Sequence, residues 1–366
     1  PEQYFNVDQK YLNELPKGEE LGPVPIKRKP WKDMDYGPFL IGSFEIADSQ
    51  DRAKPSESVG PNNNLAYKAI AIRMDKGKGG VSAGNKWVAF EHDSLRIAGI
   101  WEGEGFIDWH GINFDGRHVV RPRTIGEPFL ESSDLPGWAN PETGTFEDQR
   151  IKGLDGNRYG PLPREWCQYL GLYKHENKTI ISYRVGKAKI LECHALSDDG
   201  SFVRFLSIGK SLHPLSFRMP GKNITIKSSS SKLPNKSAEN QNSWILSVEP
   251  GDTPINLSIT LDQKEKSTTT LPLNLNQFTK GGTAQWKERL KSAILRGTQS
   301  GPFQVDEFTL PLNNPWKSRM RASGIDFSPD GKSAYLCFWD GDVWKVDGIA
   351  DESAPTIEWQ RIASGL

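Results

Sequence analysis

The runs QYLGLYKHENKTIISYRVG (168–186), AKILECHALS (188–197) and SFVRFLSIGK (201–210), the last two separated by the turn DDG (198–200), decide the fold. Apolar and polar side chains alternate within each run, and the breaks fall at HENK, at Gly-Lys and at Asp-Asp-Gly. That pattern predicts antiparallel strands joined by tight turns rather than helices. Upstream the same rhythm appears in FLIGSFEIA (39–47), LAYKAIAIRM (65–74), KWVAFEHD (86–93) and SLRIAGIW (94–101). Downstream, NITIKSSS (223–230), SWILSVEP (243–250) and INLSITLDQ (255–263) add three more short runs separated by Ser, Lys and Asn. The expected fold is therefore mainly β, an antiparallel sandwich-like domain.

Two segments depart from this rhythm. Residues 112–162 hold few periodic runs and many turn residues, which predicts long loops. Trp138, Phe146, Tyr159 and Trp166 argue that these loops are ordered, and residues 124–163 are expected to lie beside His110 and His118 as the wall of a cleft. In TAQWKERLKSAILRG (283–297), Trp286, Leu290, Ala293 and Ile294 recur at helical spacing between a capping Thr283 and a terminating Gly297. A C-terminal helix is expected there. Beyond it, SGIDFSPDGKSAYLCFWDGDVWKVDGI (323–349) reads as strand, turn, strand, turn, strand, which is most of one propeller blade. A propeller needs at least four blades of about 40–45 residues, so the chain is expected to stop inside the first. The divisions are an extended arm with a short helix at Asp8–Leu15 (1–32), a β-rich domain (33–312) and a partial blade (313–366).

Composition narrows the function classes. The 366 residues carry 46 Lys and Arg against 46 Asp and Glu, a formal charge of zero, which removes the electrostatic case for nucleic acid or an anionic membrane as the main partner. No run approaches a transmembrane helix. No charged-then-apolar leader follows Pro1, so a signal peptide is expected to be removed or to lie outside this sequence. Cys167, Cys193 and Cys337 permit at most one disulfide and show no CxxC or CxxCH spacing. P-loop, Rossmann, GxSxG, HExxH and EF-hand patterns are absent as well.

The densest chemistry lies in WEGEGFIDWHGINFDGRH (101–118). His110, Asp115 and His118 are its candidate catalytic residues, able to serve as acid and base or as ligands for a divalent metal. The competing reading makes them turn and strand-end residues of a hairpin. Trp101, Trp109, Trp138, Tyr159 and Arg121 are the candidate substrate-binding residues: aromatic faces stack on a pyranose, and a guanidinium fork holds sugar oxygens or a carboxylate. Core packing competes with this for every tryptophan. Asp33 and Asp35 form a carboxylate pair or cap a turn. Cys193 and His194, being neighbours on a strand, point to opposite faces and make a poor dyad.

DMDYGPF (33–39), NLAYKAIAIRM (64–74), WEGEGFIDWHGINFDGRH (101–118), GPLPREW (160–166) and the segment 314–349 together resemble an uncharacterised N-terminal domain of large secreted proteins of the Planctomycetes and Verrucomicrobia type. The resemblance implies a periplasmic or secreted location and a following propeller similar to quinoprotein sugar dehydrogenases, often with a c-type cytochrome module. PQQ or haem c would then belong to those later modules, and no cofactor is expected in this chain. The expected function is a docking or carbohydrate-binding module of a larger oxidoreductase-like protein; the alternative is a hydrolase or lyase centred on His110, Asp115 and His118.

Overall fold

A computed structural model describes residues 30–46, 64–109, 121–125, 127–154, 156–261, 270–298 and 301–366. The short helix expected at Asp8–Leu15 lies outside them. The chain is mainly β, built of several antiparallel sheets, one of them curled as a half barrel, with essentially no helix among the described residues beyond a single turn at Pro30–Asp33.

The four upstream runs form β1 (Phe39–Glu45), β2 (Leu65–Arg73), β3 (Lys86–Glu91) and β4 (Arg96–Glu102), and β5 (Glu127–Glu131) completes a five-stranded meander. A ribbon of β6 (Ile151–Lys152) and β7 (Arg158–Tyr159) follows. The runs that open the sequence argument are β8 (Cys167–His175), β9 (Lys178–Val185), β10 (Ala188–Leu196) and β11 (Phe202–Ile208). After β11 come β12 (Leu215–Pro220), β13 (Ile224–Ser228), β14 (Asn235–Asn240), β15 (Ser243–Val248) and β16 (Ile255–Leu261). Of these, β16 and then β13 pair beyond β11 to make a six-stranded sheet, while β12, β15 and β14 form a separate three-stranded one.

Strand alternation explains the packing. In β2, Ile70 and Ile72 enter a core shared with Tyr183, Ile190 and Leu206 of the six-stranded sheet. Ala69 and Ala71 point the other way, where Ala66, Ala89 and Ala98 also leave room for the stacked rings of Trp87 and Trp101, 5.8 Å apart. The first sheet is thus buried on both faces. The far face of the six-stranded sheet is closed by Leu273, Leu275 and Phe278 from the segment after β16.

The last sheet is built from β17 (Leu290–Leu295), β18 (Glu307–Phe308), β19 (Ala322–Phe327), β20 (Ser333–Phe338), β21 (Val343–Asp347) and β22 (Thr356–Ala363), in the order β18-β17-β22-β21-β20-β19. Here the helix expected over 283–297 is corrected: Leu290–Leu295 is a strand paired antiparallel with β22. The reason is arithmetic. Residues 286, 290 and 294 are separated by four, an even number, so one face of a strand accommodates them as well as one face of a helix does. Ala293 discriminates, and it is exposed while Ile294 is buried. The sheet consequently begins ahead of residue 313.

This last sheet sits against the start of the first one. Asp35 N donates to Trp316 O at 2.9 Å, and Ile41 N donates to Gly365 O at 2.7 Å. Gly365 has φ +75°, and a Cβ there would lie 2.1 Å from Phe39 O. Gly365→Ala is therefore expected to cost about 1–3 kcal/mol through backbone strain and to lower the melting temperature. A calorimetric melt identical to that of the parent would show that the seam yields without strain.

Candidate functional site

The sequence-selected residues do not assemble into one open site. His110, Asp115 and His118 lie outside the described residues. Trp101, Trp109 and Trp138 are buried: Trp101 Nε1 donates to Phe106 O at 2.9 Å, Trp109 stacks on Tyr36, and Trp138 packs on Phe217. Their ring faces are occupied by protein, so as placed they offer no platform to a sugar. Tyr159 is half-buried with its hydroxyl 3.2 Å from that of Tyr67, and Arg121 is half-buried. Trp339 is the one exposed tryptophan, at 73 %. Asp35 caps a turn by accepting from Gly37 N at 2.7 Å. Cys193 and His194 do face opposite sides, and all three cysteines are free.

Two buried ion clusters were not visible as sites in the sequence. Glu192, on β10, accepts from Arg204 Nε at 2.7 Å and Nη2 at 2.9 Å and from His194 Nε2 at 2.7 Å, with a short hydrogen bond from Tyr183 OH. Trp138 Nε1 in turn donates to Tyr183 OH at 3.1 Å. Burial by itself would raise the Glu192 carboxyl, but the Arg204 charge and the hydrogen bond from His194 outweigh it and hold the group down at about 2. The second cluster centres on Glu91, which accepts from Arg96 Nε at 2.5 Å, Ser94 Oγ at 2.9 Å and Arg150 Nη1 at 3.3 Å. Their sequence signal was present: a charged residue at an inward position of an alternating strand, matched by an opposite charge on a neighbour. Glu192 and Arg204 have that pattern.

One surface cleft adjoins these clusters, a cavity of about 410 Å³ lined by Arg96, Ser132, Arg218, Glu239, Asn240 and Gln241, among others. Both its arginines are already bound. Arg96 donates to Asn64 Oδ1 and Ser133 O, each at 2.9 Å, and Arg218 donates to Glu239 Oε1 at 2.6 Å while lying 4.0 Å over the Phe146 ring. The cleft can hydrogen-bond a polar ligand, and two carboxylates, Glu131 and Glu239, also line it. Among the described residues no group of three His, Cys, Asp or Glu side chains is placed to hold a metal, and no helix is long and apolar enough to cross a membrane.

Fold and clusters together define an antiparallel β protein whose buried charges, among the described residues, are paired internally. Residues 88–192, which carry both Glu91 and Glu192, match a family described as a domain of unknown function, DUF6797. No curated protein and no solved structure matches the chain.

The lowered Glu192 carboxyl gives acid sensitivity a sign. A group depressed on folding stabilises the protein above its unfolded value near 4.5, and that contribution is lost as pH falls from there toward about 2. Glu192→Gln leaves Arg204 buried without its counter-charge and is expected to cost about 3–5 kcal/mol at neutral pH. It also flattens the stability profile between those two pH values, and urea titrations across that range check both effects.

Proposed function

We propose that this chain is a docking module of a larger extracytoplasmic, oxidoreductase-like protein, a sandwich-like pair of sheets leading into the first blade of a β-propeller. The supporting observation is the outer strand of the last sheet. All six residues of β19 are exposed. Ile325 pairs with Leu336 and Phe327 pairs with Ala334, so they share the face on which Leu336 and Ala334 are buried against Trp344 and Trp316. Yet Ile325 is 53 % and Phe327 55 % exposed. The apolar face runs on past its cover, while the edge itself carries an irregularity between Ala322 and Gly324 and the exposed charge of Asp326, so the cover is one that packs on the face rather than one that adds a strand to the edge.

A following blade covers such a face by packing against it, and the PQQ or haem c chemistry implied by the resemblance then belongs to the modules beyond. The burial of Trp101, Trp109 and Trp138 favours docking over carbohydrate binding. Hydrogen exchange tests the reading. The amides of residues 322–327 are expected to exchange rapidly in the 366-residue chain and to become protected, by at least tenfold, in the same chain extended through the subsequent propeller. Equal exchange in the two proteins overturns the proposal.

A further inference from the structure

Between the β8–β9 hairpin and the segment before β17 lie two adjoining cavities, about 480 and 330 Å³, that share Lys174, Glu176, Asn177 and Gln285. Lys174 is half-buried on β8, and no hydrogen bond or ion pair reaches its ammonium among the described residues. This sets it apart from Glu91, Glu192 and Asp342, whose charges are matched by arginines. Glu176, which lines both cavities, acts on this ammonium through space without pairing with it, and a partly desolvated cation that lacks a paired counter-charge is an unfavourable arrangement that an anion in the same cavity relieves. The larger cavity also has an apolar wall of Phe39, Leu172, Trp286 and Ile362.

We propose that this cleft binds a carboxylate with an apolar body, the carboxylate on Lys174 Nζ and the body against Leu172, Trp286 and Ile362. Asn177, Thr283 and Gln285, whose side chains have no hydrogen-bond partners among the described residues, ring the same cavity as further donors. The other charged groups around the two cavities are Asp35, Arg73, Asp75, Lys76, Glu176 and Lys178. Of these, Arg73 and Asp75 are bound to each other at 2.8 Å, Asp35 caps its turn, and Lys178 lies 5.0 Å over the Phe278 ring; Lys76 and Glu176 make no ion pair among the described residues, and the Glu176 carboxylate partly offsets the Lys174 charge from a distance. Lys174 is left as the half-buried cation open to a ligand. Burial, then the like charge of Lys178, lowers its ammonium to about 8, so an anion bound to the protonated form is released as pH rises above that value.

Hexanoate is the probe. Calorimetric titration at pH 7 is expected to show hexanoate binding at least tenfold more tightly than 1-hexanol, which lacks the charge, and than glucuronate, which lacks the apolar body. Lys174→Met is expected to lose at least tenfold in hexanoate affinity, and Lys178→Met to keep it within about twofold. Because Lys174→Met removes an unmatched charge, it should melt no lower than the parent, and Lys174→Arg should retain the preference for hexanoate over hexanol. Equal binding of hexanoate and hexanol, undiminished binding by Lys174→Met, or no binding by the parent chain overturns the proposal.

Discussion

Burial of the five-stranded sheet on both faces is the constraint from which the rest of the structure follows. One face supplies Ile70, Ile72, Val88 and Phe90 to the core shared with the six-stranded sheet, and the other supplies alanines that admit Trp87 and Trp101. A carboxylate on such strands has no water to meet and must find a cation inside. Glu91 on β3 meets Arg96 and Arg150, and Glu192 on the facing sheet meets Arg204. Arg150 also donates to Asp134 O and to both oxygens of Asp148. The long connection before β8 is therefore pinned to the core by a buried guanidinium as well as by Trp138. Order in that loop and pairing of that carboxylate are one event.

The strands were legible wherever side chains alternate, because period two is a direct consequence of backbone geometry and survives without knowledge of the partner. β1 to β4 and β8 to β11 fall on the runs chosen from the sequence. Pairing order was less legible: β16 passing between β11 and β13, and β12 leaving for a separate sheet, depend on contacts remote in the chain. The segment 283–297 was misread because an even spacing satisfies both periods, and only the exposure of Ala293 separates them. Trp286 still reaches the core of the last sheet, but from an extended lead-in rather than from a helix.

The tryptophans illustrate why sites are harder to read than strands. Neighbouring Gly and Asp give a tryptophan an exposed look in sequence, yet whether its ring is covered depends on volumes supplied elsewhere. Ala66, Ala69 and Ala98 make the space into which Trp87 and Trp101 fit, and none of them is adjacent in sequence to either ring. Trp339 stays exposed because it stands at the β20–β21 turn, where no neighbouring strand passes over it, with Arg321 5.6 Å from its ring. Local sequence placed Trp87 and Trp101 in strands and Trp339 at a turn, and only the packing decided which ring was covered.

Where this fold leaves something unmatched is consequently informative. Its buried charges are paired with care: Asp342 alone accepts from Arg361 Nε at 3.0 Å, from Arg361 Nη2 at 2.6 Å and from Trp344 Nε1 at 3.2 Å. Against that background an unpaired half-buried ammonium at Lys174 and an uncovered apolar row at Ile325 and Phe327 are departures of opposite chemical kind. The first lacks a paired anion and the second lacks a covering surface, so the two call for different chemistry. A small anion fits within the cavity at Lys174 but covers no strand, whereas a strand or blade laid along β19 covers Ile325 and Phe327 but brings no carboxylate to Lys174. Ligand binding and docking are on this argument separable properties of the chain, joined only through the last sheet, whose β22 lends Ile362 to the cavity while its far edge carries β19.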